Sequence, residues 1–312
     1  MAHDRRFRFG VQLNQPLGDR TWAQTAQFVE QLGYSTLVVP DHLHDQLAPI
    51  AALTAAAAAT ETLRVGTLVL TNDFRHPVTL ANEMATLDLL SSGRAEIGLG
   101  AGWMQNDFDT AGIPFDALDV RVRRLDEAAR ILKSAFSGTT FDFDGEFYTI
   151  RHCTGRPAPA QPGGPPLMID GGERDVMGVA ARHADIVGLN PVPKPGVALT
   201  EAVSDVTASA IDERIGWLRT AAGDRFADLE ICALAFLADL TDNVAERTHG
   251  LPEHFGVAPN DLLDAPAAVL GSVEQIANTL AFRRERWGVS YYVFQGEAAV
   301  RMAPVVERLA GT

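Results

Sequence analysis

Apolar and polar positions along the chain switch repeatedly between a period of two or less and a period near 3.6. Phe7 to Leu13 (FRFGVQL) reads as a strand. Trp22 to Leu32 follows with apolar residues at helical spacing, and Gly33 supplies a stop. Thr36 to Pro40 (TLVVP) is a continuous apolar run, the pattern of a strand buried on both faces. An alanine-rich helix is predicted from about Ala48 to Glu61, and a third strand at Arg64 to Thr71 (RVGTLVLT). The helix predicted over Pro77 to Leu90 carries Leu80, Met84, Leu87 and Leu90, and Ser91-Ser92-Gly93 ends it. Ala95 to Gly100 (AEIGLG) is a fourth strand. Val120 to Phe136 is the clearest helix, with Val122, Leu125, Ala129 and Leu132 on one stripe.

Thr139 to Ile150 breaks this rhythm. It alternates aromatic and acidic residues around Asp144-Gly145, which predicts a hairpin insertion. Arg156 to Pro166 is a Pro- and Gly-rich loop. The alternation then resumes: a strand at Leu167 to Asp170, a helix at Asp175 to His183, and a strand at Asp185 to Leu189. A proline-rich loop follows at Asn190 to Gly196, then a helix at Thr207 to Ala222 and a strand at Leu229 to Leu237. Asp239 to Pro266 has weaker periodicity and reads as a partly helical excursion. Val273 to Trp287 is a helix, Ser290 to Phe294 an eighth strand, and Val300 to Leu309 the closing helix.

Eight strands, each followed by a helix, predict an α/β fold of the (β/α)8 TIM-barrel type with insertions after some strands. A doubly wound open sheet is the competitor, but Gly10 to Gly18 lacks the G-x-G-x-x-G phosphate fingerprint after its first strand. The length of 312 residues suggests two domains at ~150 residues each, yet such barrels run past that as one unit. A single barrel domain over 1–312 is the expectation, rather than two split near Pro157 to Pro166.

Composition narrows the function. The net charge of −14 argues against nucleic-acid or anionic-membrane binding, which need a basic face. The longest apolar stretch, Leu47 to Thr60, is too short to span a bilayer. Met1 to Gly10 is charged and lacks an apolar core, so no secretory signal is expected. Cys153 and Cys232 match no metal or redox spacing and fit structural thiols in a reducing cytoplasm. His3, His44, His183, His249 and His254 form no motif, and no metal is expected.

In such a barrel the chemistry gathers at the C-terminal strand ends. Strand two ends in Asp41-His42, strand three in TNDFRHP, strand four in GLGAGWMQN, strand five in DGGER, strand six in Asn190 and strand eight in Gln295-Gly296-Glu297. Each cluster also has a plain reading. Asp41 suits a helix N-cap. Gly98-x-Gly100-x-Gly102 suits a turn or close packing. Gly171-Gly172 is either a simple strand-to-helix turn or a set of backbone N–H groups offered to a phosphate at a helix N-terminus. Trp103 is either a core aromatic or the wall of a pocket.

These residues together resemble the luciferase-like monooxygenase superfamily, and within it the branch that uses the deazaflavin coenzyme F420. The segments that carry the resemblance are FRFGVQL, Asp41-His42, RVGTLVLTNDFRHP, GRAEIGLGAGWMQNDF and LMIDGG. The resemblance implies a barrel that binds a flavin or deazaflavin at its C-terminal mouth. It implies that Asp41 and His42 contact the ring, with His42 at the redox-active face. It also implies that Leu68-Val69 is a non-prolyl cis bond forming a bulge behind the ring, and that Thr71 and Asn106 hydrogen-bond the ring or ribityl chain. Gly171 and Gly172 would hold the phosphate through backbone N–H groups. Arg174 and Lys194 are candidates for an acidic tail, because a protein of this charge must build a local positive site for an anion.

The sugar-phosphate dehydrogenases of this branch carry a glutamate immediately after the third glycine of the strand-four loop, where this chain has Trp103. An indole cannot act as the acid. A more apolar substrate is therefore expected, with His42 as the proton-handling candidate and Asp41 beside it. Three functions follow. The first is an F420-dependent oxidoreductase transferring hydride to or from a small organic substrate. The second is an FMN-dependent two-component monooxygenase with a closed, dry pocket, served by a partner reductase. The third is a non-enzymatic flavin-binding barrel. The resemblance also implies a homodimer, with a small-molecule substrate and a flavin or F420 reductase as partners.

Overall fold

The computed structural model describes residues 5–190, 207–249 and 259–312. Eight parallel strands close on themselves: β1 (Arg8–Gln12), β2 (Thr36–Val39), β3 (Arg64–Thr67, resuming at Leu70–Thr71), β4 (Ala95–Gly100), β5 (Leu167–Asp170), β6 (Ile186–Gly188), β7 (Glu230–Ala235) and β8 (Val289–Gln295). Each pairs with the next, and β8 pairs back onto β1, with Phe9 opposite Tyr292. This is the predicted (β/α)8 barrel. Closure removes the exposed edges an open sheet would leave.

The helices packed outside are α1 (Trp22–Gln31), α2 (Pro49–Ala59), α3 (Pro77–Leu90), α4 (Gln105–Ala111), α5 (Leu118–Phe136), α6 (Arg174–His183), α7 (Ala208–Ala222), α8 (Val273–Trp287) and α9 (Ala303–Leu309). Among the described residues none is long and apolar enough to cross a membrane. The starts of α1 and α8 are closed by capping boxes, Thr21 with Gln24 and Ser272 with Gln275. These satisfy N–H groups that a helix cannot bond internally. The hairpin is present as strands Thr140–Asp144 and Thr149–Thr154, reaching four residues past the predicted end. Within the excursion, Leu237–Leu240 and Ala268–Gly271 form an unpredicted parallel pair beside β7, and short helices lie at Val244–Arg247 and Pro259–Asp264.

Two apolar layers result. One lies between strands and helices, and a smaller one fills the barrel with Val38, Met168, Ile186, Cys232, Leu234, Tyr291 and Val293. Below that plug, at the N-terminal end, Arg8 meets Glu230 through both Nε (2.8 Å) and Nη2 (2.6 Å) and reaches Glu96 at 2.7 Å. Arg64 reaches the same Glu96 at 2.6 Å, and the Arg8 guanidinium lies 3.7 Å over the Tyr291 ring. Burial alone would raise the Glu96 carboxyl, but Arg8 and Arg64 hold it below its ordinary value. The lower end is therefore closed and charge-compensated, and open space lies at the other end.

Candidate active site

At the C-terminal mouth a cavity of about 630 Å³ is lined by the ends of all eight strands and the loops behind them. Its back wall is the interruption in β3. The peptide Leu68–Val69 is cis, as the resemblance implies, and the chain bulges there. The groups freed from the ladder are bonded elsewhere. The Thr67 hydroxyl donates to the Gly98 carbonyl (2.9 Å) and accepts from the Gly98 N–H (2.8 Å). Leu68 N–H donates to the Val39 carbonyl, and the Leu68 carbonyl accepts from Gln12 Nε2 at 2.7 Å. Gln295 in turn donates to Gln12 Oε1 at 2.6 Å.

This bulge explains the glycines of β4. A Cβ on Gly98 would lie 2.1 Å from the Thr67 carbonyl oxygen, and one on Gly100 would lie 2.9 Å from Val69 Cγ2. Gly102 has φ +77°, and a Cβ there would meet the Phe108 ring at 2.8 Å. The G-x-G-x-G run lets one strand pass the bulge of its neighbour and brings the loop close to α4.

The end of β2 is pinned on two sides. Asp41 is buried and accepts from Arg75 Nη1 (2.6 Å) and Nη2 (3.1 Å) and from the Thr71 N–H (3.0 Å). Both carboxylate oxygens are engaged. Asp41 lines the cavity and braces the ends of β2 and β3, and its carboxylate bonds Arg75 and the Thr71 N–H rather than His42. His42 Nδ1 instead lies 2.6 Å from Oδ2 of Asp107, and Asp107 Oδ1 accepts from the Leu43 N–H at 3.2 Å. Asp107 is buried at the start of α4. A carboxylate only accepts, so Nδ1 carries the hydrogen, and in the neutral ring Nε2 is then the acceptor. The His42 ring stacks on His44 (centroids 5.2 Å apart) and meets Trp103 edge-on at 5.7 Å.

Trp103, Phe115 and Leu118 form an apolar side of the mouth. Arg121 stacks 4.0 Å over Phe115 and donates to the carbonyls of Ala101 (3.0 Å) and Gly102, fixing the loop that presents Trp103. The opposite side is the end of β5. Gly171 and Gly172 line the cavity ahead of α6, whose N-cap Glu173 makes no side-chain cap. The Gly172 carbonyl accepts from Arg214 Nε at 3.0 Å, so the back of the turn is tied to α7. Asp170, just before the turn, accepts from Asn190 Nδ2 through Oδ2 (2.8 Å), while Oδ1 is buried without a partner. Burial pushes this carboxyl up to about 6, against the Asn190 bonds and the Arg214 charge.

The structure thus gathers Asp41, His42, Leu68, Val69, Thr71, Trp103, Gly171 and Gly172 around one cavity. It does not bring in Asn106 or Arg174. Asn106 is exposed on α4, whose inward face is Asp107 and Phe108. Arg174 is exposed on α6 and lines a separate outer groove beside α5, because Val176, Met177 and Val179 claim the inward face of that helix. Lys194 lies outside the described residues. Asp107 and Arg121 escaped sequence reasoning, and Arg75 and Asp170 were read only as members of strand-end clusters, with no role assigned. Among the described residues, no three His, Cys, Asp or Glu side chains gather as a metal site.

The chain matches the luciferase-like monooxygenase profile over residues 7–291. It belongs to the luciferase-like monooxygenase family. Members similar to it include an FMNH(2)-dependent dimethylsulfone monooxygenase from Pseudomonas putida, 31% identical over 50% of this chain and 42% of that protein. An F420-dependent glucose-6-phosphate dehydrogenase from Kineococcus radiotolerans is 33% identical over 52% of this chain and 50% of its own length. The chain spans about half the length of these curated relatives. Among solved structures, the coenzyme F420-dependent tetrahydromethanopterin reductase from Methanopyrus kandleri superposes with a TM-score of 0.75. It covers 98% of this chain and 100% of its own at 17% identity, a likeness of fold. Relatives that use F420 and relatives that use FMN therefore both stand beside this barrel.

Proposed function

We propose that the protein is an F420-dependent oxidoreductase that transfers hydride between the deazaflavin and a small, largely apolar organic substrate. The observation that carries this reading is the His42–Asp107 pair at the wall of a cavity backed by the Leu68–Val69 bulge and flanked by Trp103 and Phe115. The residues present fit a flavin-type molecule. The cavity has the size of a cofactor site, the bulge offers a fixed apolar back wall, and the Gly171–Gly172 turn opens α6 toward the space.

When bound, the reduced deazaflavin supplies a hydride from carbon. The chain's own residues do the rest. Leu68 and Val69 orient the ring, and Gln12 and Thr67 keep that wall rigid. Trp103, Phe115 and Leu118 exclude water and favour an apolar substrate. His42 Nε2, its tautomer fixed by Asp107, accepts or returns the proton of a substrate hydroxyl. Trp103 stands where sugar-phosphate dehydrogenases carry a glutamate, so a sugar phosphate is not the substrate proposed. A homodimer in the cytoplasm belongs to the same reading.

The similarity to the FMNH(2)-dependent dimethylsulfone monooxygenase supports a second reading, an FMN-dependent monooxygenase served by a reductase. Titrating the purified protein with oxidised F420 and with FMN, followed by absorbance and fluorescence, separates the two. Tight F420 binding with weak FMN binding is expected. The reverse result would replace the first reading with the second. Binding of either with no turnover of any donor or acceptor would favour a flavin-storing barrel, against the presence of the His42–Asp107 pair.

A further inference from the structure

Among the described residues, Asp170 is the one cavity-lining carboxylate with a buried oxygen that lacks a partner. Asp41 has Arg75 and the Thr71 N–H, and Glu173 sits part-exposed at the start of α6. Asp170 gives Oδ2 to Asn190 and leaves Oδ1 buried and unbonded. A Cβ on Gly188 of β6 would lie 2.0 Å from that oxygen, so the glycine exists there as room for the carboxyl. The next two residues are the Gly171–Gly172 turn, and successive Cα atoms are only ~3.8 Å apart.

We propose that Asp170 makes cofactor binding proton-coupled: a phosphate seated on the Gly171–Gly172 turn binds together with one proton from solvent, held on the Asp170 carboxyl. This rests on the reading that the cavity takes a phosphorylated flavin or deazaflavin. The charged groups facing Asp170 leave it little compensation. From α7 comes Arg214, committed through Nε to the Gly172 carbonyl. From β7 comes the Cys232 thiol, itself pushed up by burial. From its own loop comes Glu173, a further negative charge. Across the cavity, Asp41 is neutralised by Arg75 and His42 is bound to Asp107. A bound phosphate therefore meets a second anion in a poorly solvated space, and protonating the buried carboxyl removes that repulsion. The unbonded Oδ1 then carries the proton. The carboxyl's rise to about 6 before any anion arrives places this uptake within the working pH range.

The test compares phosphorylated ligands with their phosphate-free forms, FMN against riboflavin and F420 against its deazaflavin core. Dissociation constants are measured by fluorescence from pH 5.5 to 8.5 for the native protein and for Asp170→Asn. Above pH 6 the native protein should lose affinity for the phosphorylated ligand by up to about tenfold per pH unit, while the phosphate-free form changes little. Asp170→Asn should flatten the curve, leaving only the slope of the ligand's own phosphate. Calorimetry in two buffers of different ionisation heat should show about one proton taken up at pH 8 by the native protein and none by the variant. Parallel curves for the two proteins would overturn the proposal and leave the cofactor reading standing. Failure of all four ligands to bind at any pH would overturn both.

Discussion

The ends of β2 and β5 each place an aspartate at the wall of the same cavity, and the two differ in how their charge is met. Asp41 has a bidentate arginine and a backbone N–H, and it ties β2 to β3. Asp170 accepts from the Asn190 side-chain amide and has one oxygen buried without a partner, and burial pushes its carboxyl up to about 6. Sequence treats them alike, as acids at barrel strand ends. What separates them is whether another element's cation pairs with the carboxylate directly, as Arg75 does with Asp41, or only lies nearby, as Arg214 does to Asp170, and only the assembled barrel decides that. A compensated acid holds the scaffold, and an uncompensated one is available to a ligand.

The β2 end is where the largest effect is expected. His42→Ala should lower single-turnover hydride transfer by about 10²–10⁴-fold at saturating cofactor, with the fold and most cofactor affinity retained. Asp107→Asn should give a smaller loss together with an altered pH–rate profile, because Asn holds the ring without enforcing the tautomer. A near-normal rate in His42→Ala would reduce that histidine to packing and erase the functional half of the β2 end. Asp41→Ala probes the structural half. It leaves the Arg75 guanidinium facing a part-buried site without its partner, and should destabilise the protein by about 3–5 kcal/mol in urea unfolding. A loss below about 1 kcal/mol would show that the brace contributes little.

The smallest effect is expected at β5, and its sign is opposite. The folded Asp170 carboxyl titrates at about 6 and the unfolded one near its ordinary value, so the folded state binds more protons between roughly pH 4 and 6. Native stability should fall as pH rises through that window and then level off. Asp170→Asn lacks this loss and keeps an acceptor for Asn190. It should exceed the native protein at pH 8 by about 1–3 kcal/mol more than at pH 4. Equal urea midpoints for the pair at both pH values would show that the burial of Asp170 carries no charge penalty.

The scaffold was legible where an apolar run is decisive and ends at a clear stop. Pro77–Leu90, Ala95–Gly100, Leu167–Asp170 and Val273–Trp287 fall where the pattern placed them. Helix α4 was missed because its seven residues, QNDFDTA, carry a single large apolar side chain and follow a glycine run. The parallel pair beside β7 was missed because Leu237–Leu240 reads as the tail of the preceding strand. At the site, residues fixed by strand ends were readable, whereas the partner of His42 lies 65 residues away and has no spacing signature. Arg174 was misplaced for a reason the sequence does contain. The stripe of Val176, Met177 and Val179 already turns that arginine outward.

The ion cluster of Arg8, Arg64, Glu96 and Glu230 links β1, β3, β4 and β7 beneath the apolar plug. Its dependence on heat differs from that of the rest of the barrel. Hydration of charged groups becomes less favourable on warming, so the penalty for keeping these four groups out of water shrinks as temperature rises. The described ion pairs of the mouth, such as Arg75 with Asp41, instead border an open cavity. The floor is therefore a part of the barrel whose charge penalty eases on warming, while the apolar layers around it gain nothing comparable.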